Sequence, residues 1–587
     1  MVHLARILLL TIGVFFASIT KAQSPYYHYF TDSIQPGYRI SGAFDSTDLN
    51  VAPYQHTLPL SFSPTVGLFD YSTMNQTRHP QFRKRFSAIP HVGLIYAMGS
   101  NATQIGRISY TQTLDTGVYV QLDYQRSTSN GAMRNSNFEE NTLEIYLAIV
   151  RTRLAATLHI YYNGGSRAFN GGLVGDSLSN AAFDLIFQEV NKGNNFSNAT
   201  FNANLGGATF DTYRQFQVNS ENYWSFIKKT TIKTGLFIHP TLDISNRKYV
   251  ENADIAAIYQ QVNYDSTKTR DFYQLSQARL FGGYFIHSKH IAFNAGLQGN
   301  YWDYDNLGHS HDTLELSIKS DLLFNLNSGW KWSSAGQLNI AGALGAFQFN
   351  SQIKKEFRQV GWNIFGAINR SYPLQNQRYY YGNAVAYAWD VKQLSTISVV
   401  GAELHSKFRF GQVRLQSSFS NYANLPVWIE NKWRQDTLNA LSIGAVSLQT
   451  AFRMASFFIQ PTVIYQVSNL NVIPPFTAFA RLGYNGTIFK AKKLKTCLGL
   501  EMGYISSYRL MDFVPQLATY SFSSSQQRFV AMPKLHAFST FDLGYFRWFI
   551  RAENLEQLAL KKVNMEALGY AVVPFQLRFG VSWDLFN

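Results

Sequence analysis

The chain ends Phe575-Gln-Leu-Arg-Phe-Gly-Val-Ser-Trp-Asp-Leu-Phe-Asn587, and this stretch decides how the rest is read. Phe575, Leu577, Phe579, Val581, Trp583 and Leu585 are apolar and fall on every second position, while Gln576, Arg578, Gly580, Ser582 and Asp584 fill the alternate phase. Successive side chains of a strand point to opposite faces, so this segment carries one apolar face and one polar face. Its length suits a membrane-crossing strand, which needs roughly 9–11 tilted residues.

The opposite end of the chain supports that reading. Residues 1–22 have the layout of a secretory signal: His3 and Arg6, an apolar run over residues 7–18, then Thr20-Lys-Ala22 at a cleavage site. The run is too short for the ~20 residues of a spanning helix, and no other segment offers a longer one. Aromatic residues make up 16% of the chain, with 35 Tyr and 46 Phe, but charged residues only 15%. Soluble domains carry about 25% charge. A membrane barrel combines these features, because half of each strand is polar and aromatic girdles mark both interfaces. The lone cysteine, Cys497, excludes an internal disulfide. Loss of Arg6 and Lys21 with the signal takes the formal charge from +15 to +13. The basic residues cluster at turns without any zinc, RNP or helical motif, so nucleic acid is not an expected partner.

Residues 23–64, with Pro36, Pro53 and Pro59, read as an irregular periplasmic lead-in, and residues 65–587 as the barrel. Val118-Tyr-Val-Gln-Leu-Asp-Tyr124 alternates, with Gln121, Asp123 and Gln125 on the polar phase. After a polar stretch over residues 127–141, Leu143, Ile145, Leu147 and Ile149 run up to Arg151-Thr-Arg153, and Leu154, Ala156, Leu158, Ile160 and Tyr162 follow directly. Long polar connections thus alternate with turns of two or three residues. Further long connections are expected at 163–211, 245–269 and 421–437. Short basic turns are expected at Lys228-Lys229, Ser288-Lys-His290 and the lysines 490–495. This asymmetry predicts an all-β fold: a single transmembrane antiparallel β-barrel with long extracellular loops and short periplasmic turns. The length fits roughly 16–22 strands, with about 18–20 preferred.

Two resemblances add to this reading. Arg578, Gly580, Trp583, Leu585 and Phe586 resemble the C-terminal signal by which outer-membrane barrels are recognised for insertion. The chain also resembles the Bacteroidetes-type family of "putative porins". The match runs through Asp123 and Tyr124, through Leu498-Gly499-Leu-Glu-Met-Gly-Tyr504 with Tyr508 and Pro515, and through Phe546-Arg-Trp-Phe-Ile-Arg-Ala552-Glu-Asn554. The resemblance implies an outer-membrane barrel and a diffusion channel.

Chemistry is sparse. His287-Ser-Lys-His290 lacks a third metal ligand nearby, and His309-Ser-His311-Asp312 reads as a loop tip. The Gly-Gly pairs at 164–165 and 171–172 lack the Lys-Ser/Thr of a phosphate loop. No G-x-S-x-G stands beside a His/Asp pair, so no enzyme, cofactor or metal is expected. Trp224, Trp302, Trp330, Trp332, Trp548 and Trp583 sit near strand ends, as interface girdles do. The expected function is passive diffusion of small hydrophilic solutes through a water-filled porin, weakly favouring anions. Gln121, Asp123, Gln125, Arg578, Ser582 and Asp584 are the pore-lining candidates. The alternative is a loop-plugged barrel serving as scaffold or as part of a secretion or transport complex. Expected partners are outer-membrane lipid, lipopolysaccharide and, during insertion, the barrel-assembly machinery. A TonB-dependent transporter would need a plug domain that the lead-in is too short to form. Trp583→Asp is expected to impair insertion, and Asp584→Asn to be silent.

Overall fold

Apolar–polar alternation, repeated between His91 and Phe586, builds one antiparallel sheet that closes on itself. The computed structural model describes residues 33–34, 86–87 and 89–586, except 116, 132–136, 170–208, 228–230, 253–261, 327–328, 385–390, 392, 430–431, 436–439, 488–493, 518, 522–527, 560–564, 568–569 and 572–574. The expected signal and lead-in lie outside these residues, apart from Ser33–Ile34, which pairs in parallel with Phe86–Ser87. The same holds for Lys228-Lys229 and the turn around Lys490.

The barrel has 22 strands. They are β1 (His91–Gly99), β2 (Thr103–Asp115), β3 (Val118–Ser129), β4 (Phe138–Val150), β5 (Leu154–Ala168), β6 (Phe210–Ser225), β7 (Ile232–Glu251), β8 (Thr269–Ser288), β9 (Ile291–Asn306), β10 (His309–Asn325) and β11 (Trp330–Ala341). The circuit continues with β12 (Phe347–Glu356), β13 (Val360–Ser371), β14 (Ser395–Phe408), β15 (Gly411–Ala423), β16 (Ala440–Met454), β17 (Phe457–Ser468), β18 (Phe476–Thr487), β19 (Lys495–Ile505), β20 (Met532–Asp542), β21 (Phe546–Glu553) and β22 (Gln576–Phe586). The last strand pairs with β21 on one side and with β1 on the other, in the register His91↔Phe586 to Gly99↔Arg578. Closure leaves no strand edge facing lipid, where an unpaired N–H or C=O would be costly. The count lies at the top of the expected range and above the preferred 18–20.

Exposed apolar residues mark the outer face: Leu297, Leu314, Ile318, Phe349, Ile353, Ile364, Leu404 and Phe579 all belong to its phase. The start of β1, the end of β22 and the turns at 151–153, 289–290 and 409–410 lie at one rim, the periplasmic one by the usual rule. The long connections leave from the other rim.

Strand height is uneven. β7 and β8 have 20 residues each, about twice what crossing requires. Their outer halves therefore stand above the bilayer, and there the outward phase turns polar, with Asn246, Lys248, Arg270 and Gln274. This corrects two expectations. β7 runs on to Glu251, so the connection expected at 245–269 starts only at 252, and Asn163-Gly-Gly165 lies within β5 rather than in a loop. His309 and His311 likewise begin β10 instead of forming a loop tip. The turn before them, Leu307-Gly308, has φ of 51° and 86°, the doubly positive pair of a type I′ hairpin.

Candidate functional site

The inward phase of β1–β3 and β19–β22 is a hydrogen-bonded polar wall. Thr111 and Tyr119 share a hydrogen bond of 2.7 Å, Tyr119 donates to Gln121 at 3.0 Å, and Gln121 donates to Asp123 at 2.6 Å. Arg107 also donates to Asp123, at 3.3 Å. On the other side of the seam, Arg551 joins Glu501 at 2.5 Å and Glu553 at 2.8 Å, while Arg578 reaches Glu553 at 3.0 Å. Arg547 joins Asp584 at 2.9 Å, and His91 lies 3.3 Å from the same carboxylate.

The pore-lining candidates thus take their places on the inward phase, but not as an open surface. Gln121, Asp123, Arg578, Ser582 and Asp584 are buried, and Gln125 is half-buried, its amide donating to Ser127. Asp584 is not a free water-facing carboxylate, so Asp584→Asn is not expected to be silent: it would strip a buried arginine of one counter-charge.

The residues of the insertion pattern divide by face. Trp583 and Leu585 are exposed on the lipid side. Gly580 faces inward, where an added Cβ would lie 2.4 Å from the Phe549 ring. Phe586 takes its register opposite His91. Among the family-motif positions, Tyr124 and Tyr504 face lipid, whereas Gly499 lies under the Phe538 ring. Tyr508 is buried beside the mouth, and Asn554 has a left-handed φ of 56°, its N–H donating to His536. Most of the tryptophans sit on the outward phase near a rim. Trp302 does not: it points inward, its indole donating to Glu315 at 3.3 Å.

The outer mouth is where sequence reasoning missed most. Connections from different parts of the circuit converge there. Arg247 on the tall wall of β7 binds Asp211 at 2.7 Å and donates to the backbone oxygen of Pro515 at 2.9 Å. Pro515 belongs to the connection between β19 and β20, nine strands from β7 by the shorter route, so this loop crosses the opening. Phe513 beside it packs on Phe169, with ring centroids 5.6 Å apart.

A second latch is centred on Asp271 of β8. Its carboxylate accepts from the Tyr264 hydroxyl at 2.6 Å, the Tyr380 hydroxyl at 2.8 Å and the Asn383 N–H at 2.9 Å. Tyr381 donates to Asn306, and His309 and His311 pack against Tyr381 and Tyr379. Tyr380, Val391, Trp428, Trp433 and Leu517, from three connections, form one buried cluster with Tyr273 and Val514 against it. Burial, followed by the negative charge of Asp271, holds the Tyr264 and Tyr380 phenols well above their usual range. Pro515 was visible as a motif residue, but its partner Arg247 lies 268 positions away and carries no local signal.

Among the described residues, no three His, Cys, Asp or Glu side chains converge to hold a metal ion. No described helix is long and apolar enough to cross a membrane, and the chain crosses with strands instead.

With this geometry in view, the family model described as "Putative porin" matches residues 82–587. The chain belongs to that family. No curated protein matches this porin-family chain in sequence. Its barrel is similar to several solved structures. The FrpB iron transporter from Neisseria meningitidis (F3-3 variant) aligns with a TM-score of 0.57 at 8% identity, over 85% of this chain and 81% of that one. The ferric-catecholate import receptor Fiu from E. coli K12, in its closed form, aligns with 0.60 at 9%, over 85% and 83%. The copper transporter OprC aligns with 0.61 at 7%, over 86% and 81%. Identities this low speak to the fold alone, an outer-membrane β-barrel.

Proposed function

We propose that this porin-family barrel is a gated outer-membrane channel, in which hydrophilic solutes pass by diffusion when the loops over its outer mouth swing aside. The observation that carries this reading is the contact of Arg247 with Pro515, which ties a loop from the far side of the barrel across the opening. No covalent chemistry is invoked: the wall positions water and the loops decide access. Anion preference is expected to be small despite the net charge. Selectivity follows charges in the lumen, and Arg547, Arg551 and Arg578 are there paired with carboxylates.

The test is single-channel conductance of the refolded protein in a planar bilayer, beside Arg247→Ala. Rare openings in the wild type and frequent ones in the variant are expected. A wild type that conducts continuously, or a variant that opens no more often, would overturn the gate. Reversal potentials in a salt gradient report the ion preference.

A second reading is favoured by the strand count. Barrels of 16–18 strands leave an aqueous channel, whereas 22-stranded outer-membrane transporters have a plugged lumen. On that reading the chain imports a bulky ligand with a partner's help. Uptake that requires an energised inner membrane would select it.

A further inference from the structure

The inner wall is not uniform. The polar phase is buried and charged around the seam. Along β11–β13, from the level of Lys331 and Lys354 to the outer mouth, its own inward residues are uncharged. Lys319 and Asp321 of β10 are flanking charges beside Gln337 and Ala335. Gln348, Asn350 and Gln352 of β12 point inward and are exposed. Gln337 of β11 pairs with Gln348, and Gln352 pairs with Phe365 of β13. Asn350 lies between Ala335 and Ala367, whose small side chains leave space on both sides. The Asn363 carboxamide oxygen is buried and has no hydrogen-bond partner. Phe365 leans over Gly401 of β14, where an added Cβ would lie 2.4 Å from its ring. Lys354 marks the periplasmic end of the strip. From there towards the outer mouth, no inward residue of β12 or β13 is charged.

We propose that this strip is a binding track for neutral saccharides, an inference that rests on the lumen being a solute path. Each carboxamide presents both donors and an acceptor and cannot ionise. It therefore suits hydroxyl groups, which also donate and accept, and offers an ion no counter-charge. Phe365 adds an apolar platform of the kind on which the C–H face of a sugar ring rests. Polar groups fixing orientation beside an aromatic surface are the usual composition of a small-ligand site.

The test uses the detergent-purified full chain, with maltohexaose as probe and an oligogalacturonide of equal length as its charged counterpart, measured by calorimetry. The wild type should bind maltohexaose and prefer it over the charged chain. Phe365→Ala should weaken binding at least tenfold, as should the double variant Asn350→Ala, Gln352→Ala. Both variants should retain the heat-modifiable mobility of a folded barrel, because the altered side chains face water. Failure of the wild type to bind, equal binding of the charged chain, or undiminished binding by the variants would each overturn the proposal. This readout does not need an open mouth. A silent Arg247→Ala channel would count against gating while leaving the saccharide track to be decided by calorimetry.

Discussion

Gly580 shows what one missing methyl group does for the inner wall. The Phe549 ring on β21 occupies the space above it, and the Tyr96 backbone oxygen lies 2.7 Å from where a Cβ would sit. Gly580→Val should destabilise the barrel by about 1–3 kcal/mol through overpacking. Urea unfolding followed by the loss of heat-modifiable mobility would measure this. The face assignment has its own residue-scale test. Phe579, 49% exposed on the lipid side, should cost about 2–4 kcal/mol on change to Arg if it lies near the bilayer midplane. Asn350→Asp, on the open inner wall, should fold as the wild type does, and equal losses from the two would undo the phase. Trp583→Asp belongs to the same series but lies near a rim, where such costs fall. The alternation at 575–587 makes these faces legible in the sequence. It cannot reveal that Arg578 is paired with Glu553 or Asp584 with Arg547, because cross-strand partners are set by register. The inward turn of Trp302 escapes notice for a similar reason: nearness to a strand end does not tell which face a residue takes.

Among the elements, the strands follow from residue periodicity, and the loops do not. Alternation locates β3, β4 and β5 within a few residues, since each needs only its own side-chain pattern. The preferred strand count is low because it leans on long connections alternating with short ones. At the outer rim the connections 100–102, 307–308 and 342–346 are as short as periplasmic turns, so hairpins there merge in the reading. The loops fold by contacts with distant walls, as Tyr380 and Tyr264 do with Asp271. That latch has a pH dependence of definite sign. Both phenols are held above the usual value of about 10, so the folded loops favour the neutral hydroxyls. The latch is complete below about pH 10 and is lost as pH rises through the elevated values. Ionisation followed by ultraviolet absorbance should lag that of free tyrosine, and channel openings should become more frequent above pH 10. Openings no more frequent above pH 10 than below it would count against this latch. At the acid end, burial holds the Asp271 carboxyl above its ordinary range, so its protonation should loosen the same contacts.

At the scale of the whole molecule, the single barrel is legible from the signal-like pattern of residues 1–22, low charge, abundant aromatics and repeated alternation. Whether the lumen is open is not, because that depends on which loop reaches which wall. The seam between β1 and β22 carries a further consequence. His91 and Asp584 meet although 493 positions separate them. The ring closes only when residues 576–586 pair with both β21 and β1, so a chain in which β22 is not yet in place carries two unsatisfied borders. Such high contact order makes folding slow and leaves those borders open to pairing with other chains. A chain shortened by its last strand should therefore accumulate as aggregate rather than as a smaller pore.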